Sequence, residues 1–338
     1  MNESQSNLLT VVIGAGASHD CIANEPNDTP EQSRITAVDP NYRPPLTQDL
    51  FTPHPAFNEI LNMYQLVSGL SEEIRARTRK KKNGEAEGLE QVLRQLAASR
   101  RIDTKKQVWE VPLYLQELFW TISDKYIMSG RSKFSTLVRR VLDSSCERVL
   151  FLTLNYDLLL DKAISEYVNH KFANMGSYIP PGESWLLVKA HGSVNWARTL
   201  INGPDFNGDH YGFVSQLSAN PEFSTETEVL LGNKGENYFP FKPQIRYGQK
   251  YKYPWMALPA EGEKDFFCPD EHIIKTREFL RDCRSFLFIG FSALDPHVVD
   301  LFKDVSRSHR LMCVCGGQHF AKEAFLRLFK ENEKILPS

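Results

Sequence analysis

The chain contains five short apolar runs, each followed directly by glycine or polar residues. Runs of this kind, without alternation of polar and apolar positions, are typical of strands that are buried on both faces of a parallel sheet. Residues at helical spacing lie between the runs, and this alternation predicts an α/β fold: a Rossmann-like parallel sheet with helices on both faces. The predicted strands are Leu8–Ile13, Arg148–Leu154, Trp185–Ala190, Ser285–Ile289 and Leu311–Cys315.

Two long segments interrupt this alternation. Apolar residues recur at helical spacing over 58–70, 88–99, 111–129 and 134–142, so residues 46–145 are predicted to form a mostly helical insertion between the first two strands. Residues 197–268 are rich in glycine, proline and aromatic residues, which predicts a smaller irregular module. We interpret residues 1–338 as a single domain that carries both segments.

Two proline-rich stretches allow two interpretations each. Cys21–Pro45 is either a solvated surface loop or a flap over a ligand. Tyr238–Pro259 either wraps the surface as part of the small module or forms a lid or a partner-binding face. The pattern of residues does not decide between them.

Composition and charge exclude several classes of protein. A hydrophobic fraction of 41%, a charged fraction of 24% and a net charge of -2 are those of an ordinary globular protein with no general attraction to nucleic acid or anionic membrane. The basic run 75–82 has no interleaved aromatic residues for stacking on bases, which favours a solvated helix end over a nucleic-acid contact. The apolar runs are too short for a signal sequence or a membrane span, so we expect a cytoplasmic protein.

The six cysteines are scattered and include no C-x-x-C pair. A zinc ribbon and a thioredoxin-type redox site are therefore not predicted, and we expect free thiols, mostly buried, and no metal. The cysteines are Cys21, Cys146, Cys268, Cys283, Cys313 and Cys315.

Polar and glycine residues follow all five predicted strands. The carboxyl ends of parallel strands meet at one edge of a sheet, where open α/β sheets bind ligands, so these residues are expected to form one site. Taken alone, the first group is either a turn of the kind that approaches a pyrophosphate closely or an ordinary strand-to-loop turn, since His19 stands where G-x-G-x-x-G has its third glycine. The five groups are Gly14-Ala15-Gly16-Ala17-Ser18, Asn155-Tyr156-Asp157, His191-Gly192-Ser193, Gly290-Phe291-Ser292 with Asp295, and Gly316-Gly317.

In this order the groups resemble those of the sirtuin-like (SIR2) superfamily of NAD-consuming enzymes. The T-x-N-Y-D form at Thr153–Asp157 and the G-F-S-x-x-D form at Gly290–Asp295 are similar to the bacterial SIR2-like branch found in antiphage NAD-depleting effectors. The resemblance implies one SIR2-like catalytic domain with NAD as substrate. Deacetylating sirtuins carry a four-cysteine zinc module after the catalytic histidine, whereas only Cys268 lies between His191 and Cys283 here, which favours plain NAD hydrolysis.

The nicotinamide of NAD is a cationic pyridinium that becomes neutral when its bond to ribose breaks. Its departure therefore needs no strong acid in the site. The site needs a positioned water, a base that titrates near neutrality and a group that orients the ribose, because charge develops on the sugar as in glycoside cleavage. His191 suits the base and Asn155 the orienting group, and the resemblance assigns them the same roles. Taken alone, His191 would be a structural histidine and Asn155 a turn or cap residue.

The other candidate residues are expected to contact the dinucleotide, and several of them also have a simpler structural interpretation. Gly14, Ala15, Gly16 and Ser18 are predicted to lie near the pyrophosphate. Asp157 either contacts ribose or nicotinamide or stabilises a helix start, and Ser292 either meets a phosphate or ribose oxygen or caps a helix. Asp295 is a ligand contact or a helix N-cap, and Gly290 is a candidate nucleotide contact. Gly316 either lets the adenine or its ribose approach or ends its strand.

The leading functional hypothesis is an NAD glycohydrolase in antiphage defence. An NAD-dependent protein deacylase and a nucleotide-sensing module without turnover are the alternatives. An unregulated NAD hydrolase would poison its own cell, so we expect control by a separately encoded regulatory or sensor protein, by assembly into a homo-oligomer or by a small signal. The two proline-rich stretches are the candidate contact surfaces.

Overall fold

The computed structural model describes residues 7–21, 42–78, 89–127, 132–203, 205, 209–219, 221–230, 250–257, 266–304 and 309–328. The chain divides into two compact units. The sheet unit comprises Met1–Ala37, Ser129–Gly192 and Asp265–Ser338, and the helical unit comprises Val38–Met128 and Ser193–Lys264. Much of both proline-rich stretches (22–41, 238–249 and 258–259) and residues 79–82 of the basic run lie outside the described residues.

The strands follow one another along the described chain as β1 (Leu8–Ile13), β2 (Arg148–Thr153), β3 (Trp185–Lys189), β4 (Gly192–Thr199), β5 (Glu228–Val229), β6 (Lys252–Met256), β7 (Ser285–Ile289) and β8 (Arg310–Val314). The α-helices are α1 (Ala15–His19), α2 (Pro55–Met63), α3 (Gln65–Thr78), α4 (Leu89–Ala97), α5 (Ile102–Ile127), α6 (Lys133–Leu142), α7 (Leu159–Val168), α8 (His210–Ala219), α9 (Asp270–Asp282), α10 (Pro296–Asp300) and α11 (Gln318–Leu328). Short 3-10 helices span Thr47–Asp49 and Met175–Tyr178.

The sheet unit is built on a five-stranded parallel sheet in the order β3-β2-β1-β7-β8. The central strand β1 pairs with β2 from Leu8↔Arg148 to Ile13↔Thr153, and with β7 up to Ile13↔Ile289. From β1 the chain builds the sheet first toward β3 and later toward β8, so the strand order reverses between β1 and β7. Ligands of open α/β sheets bind at such a switch point. The predicted α/β, Rossmann-like fold class is confirmed.

Burial explains why the predicted strands form. The last four residues of β1, the last five of β2 and all five of β3 are buried, which matches their continuous apolar sequences. The edge strand β8 differs, because its residues alternate between exposed and half-buried. All six cysteines are free; Cys21, Cys268 and Cys283 are buried, and the other three are half-buried.

The helical unit holds α2–α5, α8 and a small antiparallel sheet in the order β5-β4-β6. Aromatic side chains build part of its core: the rings of Phe213 and Tyr251 stack at 4.3 Å, and the Tyr253 hydroxyl donates to the Trp109 carbonyl at 3.0 Å. The segment predicted as one helix over 58–70 is two helices, α2 and α3, separated at Tyr64. Among the described helices, none combines the length and the apolar character that crossing a bilayer requires.

The irregular segment 197–268 contains one core strand that its sequence did not indicate. Four of the five residues of β6 are buried, including Tyr253 and Trp255. Pro254 lies inside this strand, and it is tolerated because β6 is the outer strand of the small sheet among the described residues. Because proline within a run argues against a core strand, the sequence pattern did not predict β6.

Candidate active site

Two glycine turns lie against each other at the switch point of the sheet. The Gly14 amide donates to the Ile289 carbonyl at 3.0 Å, and the Gly16 amide donates to the Gly290 carbonyl at 3.3 Å. A Cβ atom on Gly14 would lie 2.4 Å from the Gly290 oxygen, and one on Gly290, whose φ is +57°, would lie 2.2 Å from the Ala17 nitrogen. Glycine is therefore required here because two backbones touch, in addition to any approach of a ligand.

A short helix of five residues follows the first turn. It is α1, whose N-cap is Gly14, and its residues Ala15 and Gly16 are half-buried. Ser18 is 2% exposed and points into the protein. The proximity of Gly14, Ala15, Gly16 and Ser18 to a pyrophosphate stays a prediction.

Ser18 joins the first turn to the loop after β2. Its hydroxyl donates to Asp157 Oδ2 at 2.7 Å and accepts from Asn155 Nδ2 at 2.7 Å. The same Asn155 amide nitrogen donates to the Gly14 carbonyl at 3.1 Å. We call Ser18, Asn155 and Asp157 the amide cluster. The predicted residues Asn155 and Asp157 thus lie together, with the Asn155 amide locked in orientation on the turn.

Asp157 is buried, and opposing effects act on the pKa of its carboxyl. Burial raises the pKa of its carboxyl, while the Lys189 ammonium and the Ser18 hydroxyl act in the opposite direction; the net result is a raised pKa. Its second oxygen accepts from the Leu159 amide at 3.1 Å and so holds the start of α7. The helix-stabilising interpretation of Asp157 has direct structural support, and its contact with ribose or nicotinamide stays a prediction.

His191 and Asp295 form the second polar group of the site, which we call the histidine–aspartate pair. His191 Nε2 lies 2.6 Å from Asp295 Oδ2, and the two side chains are 13% and 20% exposed. Burial raises the pKa of Asp295, but the bond to His191 and the helix amides outweigh burial and hold the pKa below its ordinary value. A charged carboxylate on Nε2 fixes the tautomer and orientation of the imidazole.

Asp295 also caps a helix. Its Oδ1 accepts from the His297 and Val298 amides at 2.8 and 2.9 Å, which makes it the N-cap of α10. The preceding Ala293 has a φ of +53°, in the left-handed region that residues with a Cβ rarely adopt. The cap interpretation is therefore supported, and Asp295 additionally holds His191. A direct contact of Asp295 with a nucleotide stays a prediction.

Backbone hydrogen bonds connect the strand ends into one edge. The Ala190 amide donates to the Thr153 carbonyl at 3.0 Å, directly before His191, and the Gly290 amide donates to the Val314 carbonyl at 2.8 Å, directly before the β8 turn. The five groups predicted from the sequence consequently lie along the carboxyl edge of the same sheet.

Ser292 and Gly316 lie at the more open part of this edge. Ser292 is exposed, and its carbonyl accepts from Arg327 at 2.9 Å. A Cβ on Gly316 would meet no heavy atom of the described residues within 4 Å, apart from its chain neighbours. Local packing does not require glycine at 316, and the proposed contacts of both residues with a nucleotide stay predictions.

Sequence reasoning missed one charged residue that contacts this site. Lys189 is the last residue of β3 and is 0% exposed, and it contacts Asp157 and Asp161. A lysine inside an apolar strand was the available signal. Among the described residues, no three histidine, cysteine or acidic side chains form a group that could hold a metal ion.

Comparisons with known proteins give structural likenesses only. No protein-family model matches the chain, and no curated protein matches it. Among solved structures, the chain is similar to a Sir2 homolog–NAD complex (10% identity, TM-score 0.36, 96% of this chain and 91% of that chain). It is also similar to an ADP-ribose complex of a substituted Sir2 homologue (12%, TM-score 0.37, 98% and 96%).

A third similar structure is SIR2 in complex with an inhibitor, 2'-O-acetyl-ADP-ribose and a deacetylated peptide (12% identity, TM-score 0.33, 92% of this chain and 82% of that chain). The fold of the present chain is assigned from its own strand order and parallel registers.

Proposed function

We propose that the chain is a SIR2-like NAD hydrolase that cleaves the nicotinamide–ribose bond and releases nicotinamide and ADP-ribose. The observation that carries the proposal is the histidine–aspartate pair on the same sheet edge as the amide cluster. Hydrolysis of a substrate that carries its own leaving group requires two elements: a base in a fixed position and a group that orients the substrate. His191, held by the Asp295 carboxylate, and the Asn155 side-chain amide, held in one orientation, match these requirements. The choice of NAD follows the resemblance of the strand-end residues to the SIR2 superfamily.

In the proposed reaction, a bond forms between water oxygen and ribose C1′. The bond from C1′ to nicotinamide breaks, and its electron pair neutralises the pyridinium nitrogen. His191 accepts the proton of the water at Nδ1, because Nε2 is engaged with Asp295. The Asp295 carboxylate stabilises the resulting imidazolium, and Asn155, held by Ser18 and Gly14, orients the sugar.

The proposal is tested by measuring, by chromatography, the nicotinamide that the purified chain releases from NAD. We expect turnover by the wild type and a loss of about 10²-fold or more in His191→Ala and Asn155→Ala. His319→Ala is the matched control, because His319 is 76% exposed and pairs with Glu323 on the surface of α11. Equal turnover by wild type and His191→Ala would overturn the assignment of the base.

The same assay separates the alternatives. Turnover that requires an acylated peptide would identify a protein deacylase. Binding of NAD or ADP-ribose without nicotinamide release, also in the presence of the products of neighbouring genes, would identify a nucleotide-sensing module. The assay is therefore run with and without peptide and with and without those products.

We further propose that the hydrolase is an NAD-depleting effector in antiphage defence, controlled by a separately encoded partner, by assembly or by a small signal. Such an effector lowers cellular NAD when it is activated. Infected cells that express the wild type are expected to lose NAD, and cells that express Asn155→Ala are expected to keep it. Equal NAD levels in both would remove the defence role.

A further inference from the structure

Lys189 is a fully buried cation directly beside the proposed active site. It ends β3, whose other residues are Trp185, Leu186, Leu187 and Val188, and its exposed fraction is 0%. Burial of an ammonium group is unfavourable unless it is paired and hydrogen-bonded. A buried lysine in this place therefore needs partners that the rest of the strand does not supply.

The Lys189 ammonium bridges two elements of the sheet unit. It donates to the backbone carbonyl of Asp157 at 2.5 Å and to Asp161 Oδ2 on α7 at 2.8 Å. Asp161 is 5% exposed, and its other oxygen accepts from the Tyr178 hydroxyl at 3.2 Å. The ammonium is thus fixed by a buried carboxylate and directs one hydrogen bond at the loop after β2.

This hydrogen bond completes the attachment of the loop that carries Asn155. At the start of the loop, the backbone N–H of Asn155 donates to Thr153 Oγ1 at 3.1 Å. At its end, the Asp157 side chain is held by Ser18 and the Asp157 carbonyl by Lys189. Release of that carbonyl would free the backbone two residues after Asn155 and with it the amide that Ser18 orients.

We infer that Lys189 is a positioning residue that, held by Asp161, fixes the loop 154–158 so that the Asn155 amide keeps its orientation in the site. The inference rests on the proposed function for its catalytic consequence. The placement of the loop itself can be measured without NAD.

Two variants separate positioning from a purely structural role. Lys189→Met leaves Asp161 as a buried, unpaired carboxylate and is expected to impair folding. Lys189→Met/Asp161→Asn removes the attraction of Lys189 and the repulsion of Asp161 on the Asp157 carboxyl together, and it keeps an acceptor for Tyr178, so its Tm should fall less than that of Lys189→Met. The double variant still lacks the hydrogen bond to the Asp157 carbonyl. Lys275→Met, at an exposed lysine paired with Glu278 on α9, is the control.

In the double variant we expect kcat for nicotinamide release to fall about tenfold to a hundredfold, with KM for NAD changed less than about threefold. Amide hydrogen exchange, measured by mass spectrometry, should become about tenfold faster over 154–160 and stay unchanged over β1. Lys275→Met should match the wild type in both measurements.

A folded double variant with wild-type kcat or with wild-type exchange over 154–160 would overturn the inference. If the wild type releases no nicotinamide either alone or together with the products of neighbouring genes, the proposed function fails. The exchange measurement still decides whether Lys189 holds the loop.

Discussion

His191 and Asp295 share one short hydrogen bond although 104 positions separate them in the chain. The carboxylate does two things at once, because one oxygen holds the imidazole and the other caps α10. The N-cap fixes the position of the carboxylate, and the carboxylate fixes the ring. At the scale of single residues, the charge of Asp295 is therefore separable from its capping role.

The substitution Asp295→Asn tests this separation. Asparagine is as good an N-cap as aspartate, so the fold and Tm should change little. It cannot stabilise an imidazolium with a negative charge, and kcat for nicotinamide release should fall about 10²-fold or more. Steady-state kinetics and a thermal melt on the same sample measure both effects.

Asp300→Asn provides the control for that substitution, since Asp300 lies on the same helix and is exposed. It should retain wild-type kcat. Undiminished turnover in Asp295→Asn would show that the carboxylate serves as a cap alone.

The sequence indicated the identity of several site residues but not their contacts with one another. His191, Asn155 and Asp295 could be named because each follows a recognisable strand. The pairing of His191 with Asp295 could not be predicted, since no local sequence pattern indicates a contact between the turn after β3 and the turn after β7. Lys189 lies in a run that is predicted as an apolar strand. Its partners, the Asp157 carbonyl and the Asp161 carboxylate, precede β3 in the chain, and no local pattern indicates these contacts.

At the scale of elements, the turns after β1 and β7 behave as one unit. Gly14 and Gly16 contact the backbone of Gly290, and the left-handed conformation of Gly290 places its own Cα against Gly16. The sequence indicated both turns and a ligand that approaches them. It did not indicate that they touch each other, because that follows from the pairing of β1 with β7.

Gly290→Ala should therefore destabilise the chain strongly. The added Cβ would lie 2.2 Å from the Ala17 nitrogen, and φ at this position is +57°. We expect a loss of about 2–4 kcal/mol in the free energy of unfolding, measured by chemical denaturation. Gly316→Ala is the matched control and should lose less than about 1 kcal/mol, because the space around Gly316 is open among the described residues. Similar losses in both variants would contradict the tight contact between the turns.

Strand prediction worked for the five strands of the parallel sheet and failed for β6 of the small sheet. The apolar sequences of β1, β2 and β3 are continuous because both faces are covered. The outer strand β6 contains Pro254, which is a loop signal in a sequence and an acceptable residue at the edge of a sheet. The sequence pattern cannot distinguish these two situations.

At the scale of the whole molecule, one buried histidine links stability to pH. His272 on α9 is 0% exposed and its Nε2 donates to the Met175 carbonyl at 3.0 Å. Burial lowers its pKa to about 4, from an ordinary value of 6.5. Above pH 6.5 the ring is neutral in both the folded and the unfolded chain, whereas between pH 6.5 and 4 only the unfolded chain takes up the proton.

The free energy of unfolding should consequently decrease as the pH falls from 6.5 to 4, by about 3 kcal/mol from this residue. His272→Gln is less stable at pH 8 but should lose less stability over that range. Urea denaturation at several pH values for both proteins gives the difference. Parallel pH profiles for the wild type and His272→Gln would contradict the assignment.

The contact between the glycine turns has an evolutionary consequence. Since a side chain at Gly14 or at Gly290 would collide with the opposite backbone, neither position can change alone without a compensating shift of the other turn. Natural selection should therefore retain both glycines together in descendants of this chain, even where the surrounding sequence has diverged beyond recognition. A pair of glycines, one after the first core strand and one after the fourth strand of the sheet, is a more durable ancestral signature than the local spacing of either turn.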